Sequence, residues 1–153
     1  MTTSGPARVP ASSLDLVERA RASLVAALTA TSAGERYVAA HLGALRAAAA
    51  VLSVRGRPHR YGRPRSVWEV LPTVAPELGE WAAFFEAGAA RRAAVEAGRE
   101  DAVSGREADD LVRDGEAFLA VVEDALGLPR HAVLPSGAVS IRSGSALPLS
   151  LPG

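Results

Sequence analysis

Apolar residues recur at three- and four-residue intervals over four long stretches of the chain, the spacing that gathers them on one side of an α-helix. The first stretch, 13–30, repeats Leu14, Val17, Leu24 and Leu28, with Ala20 and Ala27 filling the stripe and Glu18, Arg19 and Arg21 falling mostly on the other face. The second, 33–54, lines up Tyr37, His41, Leu45, Ala48 and Leu52, and its run Ala47 to Ala50 implies an unusually close helix–helix contact. The third opens at Pro76, a residue suited to a first helical turn. Leu78, Trp81, Phe84, Phe85 and Gly88 mark its buried side, and it extends to about residue 98. The fourth carries Ala108, Leu111, Val112, Phe118, Leu119, Val122 and Leu126, the clearest amphipathic pattern in the chain.

The punctuation agrees with this division. Ser32, Ser66 and Ser104 each precede a Glu by three residues, the capping-box spacing that satisfies orphan N–H groups at a helix start. The box at Ser66 predicts a short helix ending near Leu71 and Pro72, and Gly127-Leu128-Pro129 stops the last helix. Residues 1–11 read as a flexible arm, 12–128 as the helical domain and 129–153, rich in Pro, Ser and Gly, as a disordered tail. The predicted fold is all-α: an antiparallel bundle of four main helices plus one short one.

Composition narrows the chemistry. The 153 residues are 48% hydrophobic but only 5% aromatic, the difference being made up mostly by Ala with Leu and Val, which favours helices over sheet. There is no Cys, Lys, Asn or Gln, and all 17 basic residues are Arg. Disulfides, thiolate metal sites, a Walker P-loop and Schiff-base catalysis are thereby excluded. No His or carboxylate spacing suggests a metal, no cofactor is expected, and no stretch reads as a membrane span or signal peptide, so a cytoplasmic protein without a membrane partner is expected. The formal net charge of +0 means that any attraction for nucleic acid must be local.

The local charge lies between the second helix and the short one. Arg55, Arg57, His59, Arg60, Tyr61, Arg63 and Arg65 fall in a stretch broken by two Gly and two Pro. Arginine pairs bidentately with phosphate and tyrosine stacks on bases, so this loop is a candidate contact for RNA or a nucleotide. The competing reading is a solvated loop neutralised by the acidic last helix through Asp109, Asp110, Asp114, Glu116, Glu123 and Asp124. Trp68, Trp81, Phe84 and Phe85 are expected in the core, and one left exposed would suggest a dimer face. At the end of the chain, Leu147-Pro148-Leu149-Ser150-Leu151 is either a docking peptide for another protein or a plain disordered end.

The stretch Glu35-Arg36-Tyr37-Val38-Ala39-Ala40-His41-Leu42-Gly43-Ala44-Leu45-Arg46-Ala47 resembles the second helix of HEPN domains. Arg65-Ser66-Val67-Trp68-Glu69-Val70-Leu71 and Pro76-Glu77-Leu78-Gly79-Glu80-Trp81-Ala82 resemble the actinobacterial, SAV-like branch of that superfamily, and the likeness continues over 109–122. About two thirds of the chain is covered. The resemblance implies an all-α bundle that often forms homodimers. Catalytic members are metal-independent ribonucleases, often toxins of toxin–antitoxin pairs, with an Arg-x(4–6)-His motif late in the chain; others lack it and bind RNA, nucleotides or protein partners.

Here the late stretch 91–114 has Arg but no His, so a non-catalytic binder is expected. Arg36 and His41 do match the motif spacing, but in the second helix, where positions five apart diverge by about 140°. The alternative ribonuclease would use His41 as general acid or base and Arg36 on the phosphate; otherwise His41 is a core histidine. A protein-interaction scaffold is the third reading.

Overall fold

A computed structural model describes residues 8–56 and 65–129; residues 1–7 of the sequence-predicted N-terminal arm, most of the basic loop and 130–153 of the predicted tail lie outside the described residues, while Ala11, assigned to the arm, begins the first helix. Helix α1 spans Ala11–Thr29, α2 Ala33–Arg55, α3 Val67–Val74, α4 Gly79–Glu96 and α5 Gly105–Ala125, with 3-10 turns at Pro76–Leu78 and Glu100–Ala102. The four long helices run alternately up and down. Ser13 meets Ser53 while Gly43 abuts Leu24, so α1 and α2 are antiparallel. His41 meets Phe85 and Gly34 abuts Val95, so α2 and α4 are antiparallel too. Arg36 reaches Asp109 and Ala40 lies beside Gly115, so α2 and α5 run parallel as the central pair.

The helix starts follow the sequence. Ser32, Ser66 and Ser104 accept the amide N–H of Glu35, Glu69 and Glu107 in turn, and at Ser104 the Glu107 carboxylate also accepts the Ser104 N–H at 2.9 Å, completing the reciprocal box. Both α4 and α5 end in a Schellman motif: Arg99 N–H bonds the Ala94 carbonyl and Leu128 N–H the Glu123 carbonyl, around Gly98 and Gly127 with φ of 93° and 69°. Helix α3 runs three residues past Leu71, because Pro72 removes only one N–H and Thr73 donates its hydroxyl to the Val70 carbonyl.

Small residues set the α1–α2 approach. Ala20, Ala27, Ala40, Ala44, Ala47, Ala48 and Ala50 are fully buried. The expected α1 stripe is corrected in part: Val17, Ala20, Leu24 and Ala27 are buried as expected, joined by Ser13 and Ser23, while Leu14 and Leu28 lie on the flank, 40% and 43% exposed. Periodicity marks a face about 100° wide but not which edge of it lies closest to the partner. Ser23 and Ser13 are satisfied in this contact, by Arg46 at 2.6 Å and Ser53 at 2.6 Å. At the other side, Trp68, Trp81, Phe85 and Phe118 form the aromatic end of the core, with Phe85 5.2 Å from both Trp68 and Phe118.

Two further expectations are corrected. Phe84 is 47% exposed, because its neighbour Phe85 takes the inward position on α4. Glu123 is not on a solvated face: it is buried, with Arg21 of α1 3.6 Å away. Finally, α2 is long and apolar enough to cross a membrane by length and composition alone, contrary to the sequence reading. Its place at the centre of the bundle, touched by α1, α3, α4 and α5, accounts for that apolarity.

Candidate functional site

His41 sits at mid-depth on α2, 1% exposed, where α2 faces α3 and α4. Its Nε2 is 2.9 Å from the Phe85 carbonyl, which can only accept, so Nε2 carries the proton. Nδ1 is then the acceptor for Arg92 Nη1 at 3.3 Å. The ring also stands edge-on to Trp68 and Phe85 at 5.9 and 6.3 Å. Burial pushes its pKa below the usual value; the Phe85 hydrogen bond opposes this and the Arg92 charge adds to it. The histidine is therefore neutral near pH 7, with both ring nitrogens engaged.

Beside it opens a cleft of about 440 Å³ between the C-terminal half of α4 and the start of α3. Arg65, Ser66 and Trp68 line one wall, Arg92 and Glu96 the other, and His41 the floor. Both arginines are tethered by a carboxylate one helical turn away: Arg92 Nε to Glu96 at 3.2 Å, Arg65 Nε to Glu69 at 3.5 Å. Each guanidinium has five N–H donors in a fixed plane. With Nε and at most one further nitrogen engaged among the described residues, both keep donors for an anion at the mouth of the cleft. Their side chains are 27% and 31% exposed, so they are reachable without unfolding the site.

The sequence-predicted residues divide into three groups. His41 and Arg65 come together in this cleft. Arg36 does not join them: it donates to Asp109 on α5 at 2.7 Å and to the Ala30 carbonyl at 3.3 Å, while His41 turns to α4. Arg55 ion-pairs with Glu77 and donates to the Val74 carbonyl at 3.3 Å. Arg57, His59, Arg60, Tyr61 and Arg63 lie outside the described residues. The expected neutralisation by α5 is not found for Arg55 and Arg65, whose partners are Glu77 and Glu69; the α5 carboxylates Asp109, Asp110 and Glu123 pair with Arg36, Arg113 and Arg21.

Arg92 is the residue sequence reasoning missed. It makes a spatial Arg–His pair across two helices, and no spacing rule detects partners 51 positions apart. The available signal was Gly88, four residues earlier on the same helix. A Cβ there would lie 2.8 Å from the Tyr37 hydroxyl and 3.6 Å from the His41 ring, so glycine lets α4 close onto that face of α2.

The chain is an up-and-down helical bundle with a long alanine-rich second helix, one short helix and an arginine–histidine pair where α2 meets α4. The family model for SAV_6107-like HEPN domains matches residues 18–123, and the chain belongs to that family. No curated protein and no solved structure matches it.

Proposed function

We propose that this HEPN domain is a non-catalytic module that binds a phosphate-bearing ligand, RNA or a nucleotide, with Arg65 and Arg92 receiving the phosphate at the mouth of the His41 cleft. The observation that carries the reading is the occupancy of both His41 nitrogens. A general acid or base needs one nitrogen free to exchange a proton with substrate, and here one is held by a backbone carbonyl and the other by Arg92. What remains reachable is guanidinium, which binds phosphate without bond-making chemistry. Arg65 is also the last residue of the basic stretch, so Arg55, Arg57, His59, Arg60, Tyr61 and Arg63 extend the contact along a single strand.

The test is retention of a short single-stranded RNA by the full chain across a salt series. Replacing Arg65 and Arg92 with Ser should weaken binding at least tenfold and flatten the log–log salt slope by about 1.4, the release expected for two phosphate contacts on a single strand. Unchanged binding in that variant, or none by wild type at low salt, rejects the proposal. The ribonuclease reading is favoured by one observation, the direct Arg92–His41 pair. It is supported if wild type cleaves RNA in the presence of a chelator and His41→Ala does not.

A further inference from the structure

Along α4 and α5, past Gly88 and Tyr37 from that cleft, lies a second groove, of about 420 Å³, rich in carboxylates. Its floor is apolar, made by the exposed ring of Phe84 and by Leu111. Its rim carries Glu107, Asp110 and Asp114, three carboxylates against Arg91, held by Glu107 at 3.3 Å, and Arg113 beside the groove, held by Asp110 at 2.6 Å. Asp114 is half-buried and makes no hydrogen bond or ion pair among the described residues. Its carboxyl is pushed above the ordinary range, first by burial and then by the neighbouring charge of Asp110, with Arg113 opposing. A groove of this kind suits an extended segment with apolar side chains and a guanidinium.

This chain contains such a segment. Residues 130–153 include Val133, Leu134, Val139, Ile141 and a leucine-rich end, together with Arg130 and Arg142, and contain no Asp or Glu. The geometry of attachment favours it as well. The Schellman turn at Gly127 ends α5, and Leu128 packs back onto the core. From the end of α5 to Asp110 is about 22 Å at 1.5 Å per residue. An extended chain covers that in roughly seven residues at 3.3 Å each, which leaves 137–153 free to lie along the groove.

We propose that the C-terminal segment docks onto its own α4–α5 groove, Ile141 and its neighbours covering Phe84 and Leu111 while Arg142 pairs with Asp114 beside the Arg113–Asp110 pair. The inference is independent of the phosphate-binding proposal, since it concerns a different groove and the opposite charge.

The chain has no cysteine, so Ser140→Cys gives a unique attachment point for a nitroxide on the full-length protein. With the label on an isotopically enriched chain, the amide signals of Ala87, Gly88 and Arg91 should be lost, and they should return when the nitroxide is reduced. They should also survive in the same labelled chain carrying Asp110→Arg and Asp114→Arg. Because those changes touch the folded domain, the tail variant Arg142→Glu with Ile141→Ser provides a second route to the same recovery. Unaffected groove amides in the labelled chain, equal loss in all variants, or loss only when the label is on a different molecule each overturn docking within one chain.

Discussion

Replacing Gly115 with Ala places one methyl group where α5 crosses Leu24 of α1. The new Cβ would stand 2.8 Å from Leu24 Cδ2 and 3.5 Å from the Ala40 carbonyl. A leucine methyl can normally yield, but this one is pinned. Leu24 is 0% exposed, and on its other side Gly43 of α2 lies so near that a Cβ there would be 3.0 Å from Leu24 Cγ. Two glycines on two helices thus form the seat of one leucine. Overpacking a closed core costs about 1–3 kcal/mol, whereas Ala in place of Gly within a helix contributes about 1 kcal/mol in the other direction. The net expectation is a loss of about 1 kcal/mol, or a fall in Tm of about 3 °C for a domain of this size.

Gly79→Ala supplies the internal control, since nothing lies within 4 Å of a Cβ there and the backbone is already helical at φ −60° and ψ −41°; it should stabilise by about 0.5 kcal/mol. Urea unfolding followed by circular dichroism measures both. A double-mutant cycle isolates the clash. Leu24→Ala alone should cost about 2–5 kcal/mol, but combined with Gly115→Ala it should cost about 1–2 kcal/mol less than the sum of the two. If Gly115→Ala is as stable as wild type, or if the cycle is additive, the seat described here is wrong.

Other expectations follow from single sites. The His41 pKa is lowered on folding, so the unfolded chain binds the proton more readily; the stability this group contributes is complete above pH about 6.5 and declines as pH falls below it. Urea midpoints measured between pH 7.5 and 5.5 should show that decline in wild type and much less of it in His41→Gln. Arg21→Met removes the cation facing buried Glu123 and should destabilise by on the order of 3 kcal/mol, read from the shift in urea midpoint. Ser104→Ala removes the hydroxyl half of the α5 capping box, leaving the backbone N–H of residue 104 for the Glu107 carboxylate, and should cost about 1 kcal/mol by thermal unfolding, with Ser104→Gly costing less.

Where the helices begin and end was legible because the determinants are local. A serine three residues before a glutamate, or a glycine able to take positive φ, acts within one turn of itself, and Ser104 and Gly127 need no distant partner to do so. The inward face of α5 was legible for a related reason: large apolar residues at helical spacing leave only one side to bury, and every position assigned to that face is buried. On α1 the same logic misplaced Leu14 and Leu28, because alanines and serines allow a closer approach than leucines and a stripe of mixed sizes does not say which edge lies nearest.

The candidate site was only half legible. His41 and Arg65 are conspicuous by residue type, but the spacing that joined His41 to Arg36 is a property of the chain rather than of space. The helix turns the two side chains toward different neighbours, Asp109 on α5 and Phe85 with Arg92 on α4. Sequence alone determined the class of fold, the serine-capped helix starts and the absence of thiol or lysine chemistry, since these depend on composition and on contacts a few residues apart. Tertiary structure alone decided that His41 is neutral and engaged on both sides, that its arginine is Arg92, and that Phe84 is left in an acidic groove. Each of these is a meeting between side chains far apart in sequence, made when the helices close on one another.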